Sequence, residues 1–114
     1  KSKIRQIQMQ QAHNRMMSDV PSADVVITNP TRLAIALSYK PGEPGAPKVL
    51  AMGKGHIAAK IREIAQENHI PMRENKPLAR SLFKQVKVGD EIPEEMFEAV
   101  AILLAEIFRL KQKT

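Results

Sequence analysis

The step Asn29-Pro30, followed by Thr31-Arg32, is the only Asn-Pro pair in this chain of 114 residues, and its chemistry is unusual. At most asparagines the next backbone N–H can attack the side-chain amide and lead to deamidation, but proline has no N–H to supply. The reverse attack remains open. The Asn29 side-chain nitrogen can close on its own carbonyl carbon, form a succinimide and expel the Pro30 nitrogen, which cuts the backbone. Arg32 adds a permanently charged group that only donates hydrogen bonds; it can polarise the Asn29 carbonyl or hold an oxyanion. The same residues also have a plain structural use, because Asn-Pro is a common turn signal.

A cut of this kind needs fixed geometry, since aligning nucleophile and carbonyl removes much of the entropic cost. The flanking segments are suited to provide it. Ala23–Thr28 and Leu33–Lys40 are β-branched or apolar runs that predict two strands, the first continuous enough to be buried on both faces. The residue before a proline is kept out of the α region, so Asn29 enters the turn extended.

Further elements follow from pattern and punctuation. Residues 1–19 predict a helix with Ile4 and Ile7 but no sustained apolar stripe, ended by Val20-Pro21-Ser22. The segment Pro41-Gly42-Glu43-Pro44-Gly45-Ala46-Pro47 is an exposed loop. Lys48–Met52 predicts a third strand, His56–Asn68 an amphipathic helix with Ile57, Ala58, Ile61, Ile64 and Ala65 on one face, and Ile70–Glu74 a fourth strand. Asn75 can cap a helix carrying Leu78, Leu82 and Phe83, with Pro77 in its first turn. Gly89 and Asp90 break the chain. Pro93-Glu94-Glu95 opens a final helix whose core stripe is Met96, Val100, Leu103, Leu104 and Ile107, with Lys111 and Lys113 at its negative end.

The stretch Ala-Asp-Val-Val-Ile-Thr-Asn-Pro-Thr at 23–31 and Leu-Ala-Ile-Ala-Leu at 33–37 resembles the cytoplasmic domain of the FlhB and YscU family, the switch proteins of flagellar and injectisome type III export. The resemblance continues through Ala46-Pro47-Lys48-Val49, Lys60-Ile61-Arg62-Glu63-Ile64-Ala65, Pro77-Leu78-Ala79-Arg80 and Ile92-Pro93-Glu94-Glu95, and covers nearly the whole chain. Lys60–Ala65 and Val88–Glu95 are closer to the flagellar branch. In that family the tetrapeptide is normally Asn-Pro-Thr-His, and the chain cuts itself between Asn and Pro while both pieces stay folded together. Here Arg32 replaces an imidazole that could exchange a proton near neutral pH.

The resemblance implies an α/β fold: a small mixed four-stranded sheet flanked by helices. Residues 21–114 form one globular domain, and residues 1–20 a linker helix projecting from a membrane domain upstream. It implies residence at the cytoplasmic face of the bacterial inner membrane. It also implies partners: other export-apparatus proteins, export substrates and a length-control protein. Self-cleavage then falls on Asn29, Pro30, Thr31 and Arg32, as a single-turnover event rather than enzymatic turnover. Pro77, Leu78, Ala79 and Arg80 match a family segment that helps present a partner surface, although Leu78 also fits a core position and Arg80 a solvated charge.

Composition sets outer bounds. The length suits one core, built from aliphatic residues and Met because Trp is absent and Tyr and Phe are few. No Cys removes disulfides, thiolate nucleophiles and Cys-ligated zinc together. No run is long and apolar enough for a membrane span and no series resembling a signal peptide opens the chain, while a start at Lys1 without an initiator Met suggests an excerpt from a longer protein. The net charge of +6 is concentrated at the front, where residues 1–20 carry +3. Such an arm suits anionic headgroups, at about 1 kcal/mol per nearby cation; a solvated helix face is the plainer use. Nucleic acid is not indicated, because no aromatics interleave with the cations.

Other chemistry is thin. Gly53-Lys54-Gly55-His56-Ile57-Ala58 with Glu74 outlines a dinucleotide fingerprint, but its third glycine is Ala58 and too little chain follows for a second mononucleotide half. His13, His56 and His69 lack metal-ligand spacing, so no metal and no cofactor is expected. Ser38 and Ser81 have no nucleophile-elbow context, and Glu94, Glu95 and Glu98 read as a helix start. Met9, Met16 and Met17 are a flexible helix flank or a partner contact. Three further readings stay open: the injectisome homologue of the same family, an uncleaved docking module for export partners, which Arg32 favours, and nucleotide binding through 53–58.

Overall fold

The computed structural model describes residues 2–30 and 32–112. In chain order the elements are α1 (Ser2–Asp19), a 3₁₀ turn (Val20–Ser22), β1 (Val25–Asn29), β2 (Leu33–Ser38), β3 (Lys48–Lys54), α2 (His56–Glu67), β4 (Met72–Glu74), α3 (Lys76–Gln85), a second 3₁₀ turn (Glu94–Met96) and α4 (Phe97–Gln112). The strands form one mixed sheet in the order β3-β2-β1-β4, with β1–β2 and β2–β3 antiparallel and β1–β4 parallel. The expected fold class is the one observed.

Strand side chains alternate between faces, and the alternation divides the core in two. Val25, Ile27, Ile35, Leu37 and Val49 pack with Leu78 and Leu82 of α3 and with Val100, Leu104 and Ile107 of α4. On the other face Val26, Ala34, Ala36 and Ala51 meet Ala58, Ile61 and Ala65 of α2. Coverage on both faces explains why β1 reads as a continuous apolar run rather than an alternating one. The small side chains gather on the α2 face, which lets that helix lie close.

Gly53 shows how close. A Cβ built there meets Ile57 Cγ2 and lies 2.6 Å from Ile57 Cβ, so only glycine permits the first turn of α2 to seat against β3. The far end of α2 closes differently: Ile70 N–H donates to the Ala65 carbonyl (2.8 Å) and His69 N–H to that of Gln66 (3.2 Å), with His69 at φ 56°. This is the αL closure usually given to glycine.

Element ends differ from the sequence expectations where a specific bond intervenes. The strand expected over 23–28 begins at Val25, because Ala23 N–H is used to close the 3₁₀ turn onto Val20 (2.9 Å), and it extends to include Asn29. The strand expected to reach Lys40 stops at Ser38, since Tyr39 N–H donates to Asp24 Oδ2 (2.7 Å). The third strand runs two residues further, to Lys54, because Leu33 and Ala34 pair with Lys54 and Gly53. The fourth starts at Met72, Ile70 having been taken by the α2 closure.

Asn75 caps α3, its Oδ1 accepting from Leu78 N–H at 3.1 Å. Asn75→Ala is expected to cost about 1 kcal/mol, measured as a lowered midpoint in urea unfolding; a change under a few tenths would show that the cap is not limiting. On α1, Met9 is exposed, while Met16 and Met17 rest against the α2-side core. The side chains of Ile4 and Ile7, and Lys113 entirely, lie outside the described residues. The longest axis of the molecule is 51 Å, against 30 and 26 Å for the others. Among the described residues no helix is long and apolar enough to cross a membrane.

Candidate functional site

The Asn-Pro step sits in the tight connection between two central strands. Asn29, the last residue of β1, is paired with Leu33, the first of β2. Arg32 N–H donates to the Asn29 carbonyl oxygen at 2.9 Å, so the carbonyl that a cyclisation of Asn29 would attack carries a backbone donor. Such a donor stabilises charge developing on that oxygen. Position 32 therefore polarises the electrophile through its main chain, whichever side chain it bears.

Neighbouring segments hold the turn. Gly55 N–H donates to the Arg32 carbonyl (3.2 Å), linking it to the start of α2, and Asn75 N–H donates to the Thr28 carbonyl (3.0 Å), linking it to the start of α3. Asn29 is 9% exposed, and among the described residues its carboxamide has no hydrogen-bond partner. Among the described residues it is confined yet not tied, the condition that an attack on its own carbonyl would need. Pro30 and Arg32 are exposed, and Thr31 lies outside the described residues.

Asn29 and Arg32 open onto a concavity of about 720 Å³ shared with Leu33, Lys54, His56 and Arg80. Among the described residues three cations line it and no carboxylate does. Arg80 comes from Pro77-Leu78-Ala79-Arg80, so the structure brings the two segments singled out in the sequence to one place. A second concavity adjoins it through Leu33 and Arg80, with Pro77, Phe83 and Lys84 on its walls. Leu78 and Ala79 are buried in the core, leaving Pro77 and Arg80 as the exposed members of that tetrapeptide.

An apolar groove of about 640 Å³ lies elsewhere, where Pro41, Ala46 and Pro47 of the loop face Phe97, Ala101 and Leu104 of α4. Tyr39 and Phe108 also line it, their ring centroids 6.5 Å apart. Sequence reasoning took only the core stripe of α4 and missed this surface. The available signal was that Phe97, Ala101, Ile102, Ala105 and Leu110 extend the apolar character of the helix well beyond one stripe.

The remaining candidates do not converge. Glu74 ends β4 at one edge of the sheet, while Gly53 and Gly55 belong to β3 and its turn at the opposite edge, so the outline of a dinucleotide site is not assembled. Among the described residues no three metal-ligating side chains gather.

Comparison with known proteins bears on the whole chain. A family model described as the FlhB HrpN YscU SpaS family matches residues 1–107. The flagellar biosynthetic protein FlhB of Bacillus subtilis is 50% identical over 113 residues, covering 99% of this chain and 31% of its own length. That of Salmonella typhimurium is 48% identical over 112 residues, covering 98% and 29%. This chain thus spans less than a third of either relative. Among solved structures, the cytoplasmic domain of FlhB from Shewanella putrefaciens matches with a TM-score of 0.83 and 42% identity, over 89% of this chain and 78% of that one. An EscU C-terminal domain matches with a TM-score of 0.76 and 38% identity, over 81% and 98%.

Proposed function

The chain belongs to the FlhB, HrpN, YscU and SpaS family, and on that footing we propose that it is the switch domain of a flagellar type III export apparatus, reset once by cutting its own backbone between Asn29 and Pro30. The observation that carries the reading is the Asn29 carbonyl held by Arg32 N–H beside a carboxamide with no partner among the described residues. Ring closure within one residue needs no second molecule, and a preset carbonyl lowers its entropic cost.

The rest of the proposal follows from family and surface. Scission frees the β1–β2 connection while the two strands stay paired and buried, so the pieces remain one folded body with an altered turn surface. The domain sits at the cytoplasmic face of the inner membrane, with α1 leading from a membrane domain upstream. Its partners are other apparatus proteins, export substrates and a length-control protein. The apolar groove along α4 and the exposed Pro77 and Arg80 are the surfaces offered to them.

Arg32 favours a second reading, a docking module that is never cut. Intact-mass measurement on purified chain, repeated during incubation, separates the two: fragments 1–29 and 30–114 support scission, and one unchanging mass supports the module. Arg32→His is expected to raise the rate by less than about tenfold, because the main-chain donor to Asn29 is the same in both, whereas an added proton carrier acting alone is worth 100-fold or more. A rise of 100-fold or more would show that an imidazole at position 32 acts as an added proton carrier that the unaltered chain lacks.

A further inference from the structure

Scission moves a proton as well as a bond, and the concavity at the turn contains a side chain able to move it. As Asn29 Nδ2 bonds to the Asn29 carbonyl carbon, the nitrogen must shed a proton. When the bond to Pro30 breaks, the proline nitrogen must gain one to leave as a neutral secondary amine. Arg32 and Arg80, both lining the concavity, can only donate. Lys54, also there, offers no acceptor while charged. His56 is the remaining titratable residue, and an imidazole both accepts and donates.

Its position is set by the same bonds that hold the turn. Gly55 N–H is tied to the Arg32 carbonyl, and His56 is the next residue, fixed as the first of α2, whose second residue is seated against Gly53. The other histidines are on α1 and in the closure of α2, and neither lines this concavity.

We propose that His56 serves the cut as proton carrier, in the place left by the residue at 32. This rests on the scission reading above. The neutral imidazole takes the proton from Asn29 Nδ2, through solvent in the concavity, as the carbon–nitrogen bond forms and the carbonyl electrons move onto oxygen. As the tetrahedral centre collapses and the bond to Pro30 breaks, the imidazolium returns that proton to the Pro30 nitrogen. The products are a succinimide at residue 29 and a free Pro30 amine; His56 ends as it began, and water later opens the ring.

The test follows fragment formation by intact mass, from pH 5 to 9, in the unaltered chain, His56→Gln, Arg32→His and the double variant. His13→Gln on α1 serves as control, and thermal unfolding confirms that each remains folded, as expected for an exposed residue such as His56. His56→Gln should slow scission about 100-fold at neutral pH and change how its rate depends on pH. Arg32→His should restore most of the rate in the double variant. Scission in His56→Gln within twofold of the unaltered chain, with the same pH profile, overturns the role of His56 and leaves the scission reading standing. No fragments in the unaltered chain or in Arg32→His overturns both.

Discussion

Asn29→Ala is expected to abolish backbone scission entirely while the domain stays folded. The nucleophile and the electrophile belong to the same residue, so removing the carboxamide removes the reaction rather than slowing it. No neighbour can substitute, because the other side chains at the concavity cannot close a five-membered ring on that carbonyl. The fold should tolerate the change. Among the described residues the carboxamide bonds nothing, and the strand pairing of residue 29 with Leu33 is a main-chain matter. The stability cost should stay within about 1 kcal/mol. Intact mass over days, with a thermal unfolding curve, measures both; fragments from Asn29→Ala would remove the Asn-centred mechanism, and an unfolded variant would show that the carboxamide also supports the turn.

Gly53→Ala is expected to be the most damaging of the small substitutions. Its new methyl would meet Ile57 Cγ2 and come within 2.6 Å of Ile57 Cβ, and these atoms sit at the root of a branched side chain in the first turn of a helix. The Cβ atom cannot swing away without moving α2. Overpacking of this kind costs about 1–3 kcal/mol, which for a domain of this size lowers Tm by about 10 °C. The consequence extends to the turn, because displacing the start of α2 strains the Gly55 to Arg32 hydrogen bond and moves His56. Slower scission should therefore accompany the loss of stability. Differential scanning calorimetry and intact mass on the same sample test the coupling; a chain that loses stability but cuts at the original rate would show that the α2 tether is irrelevant to the reaction.

Both outcomes depend on features of different legibility. The four strands and four helices could be read from side-chain periodicity, because each apolar residue reports locally which way it must face. Val25 to Thr28 advertise burial on both faces, and Ile57, Ile61, Ile64 and Ala65 recur at helical spacing. The ends were less legible. Where β2 stops depends on Asp24 capturing the Tyr39 amide fifteen residues away, and where β4 starts depends on how α2 is closed. Leu78 and Pro77 illustrate the same limit: adjacent in one motif, they separate into core and surface once α3 is docked.

The proposed reactive step was legible in the amino-acid order alone, since the capacity for cyclisation at Asn29 belongs to one residue and the imino acid that follows it. What surrounds that step was decided only in three dimensions. Lys54, His56 and Arg80 reach the turn because β3 lies beside β2 and α3 crosses beneath β1, contacts between segments that no local periodicity records. Chemistry confined to neighbouring atoms travels with the covalent chain, whereas the field and the proton traffic around it arise from packing, which exists only once the sheet has closed.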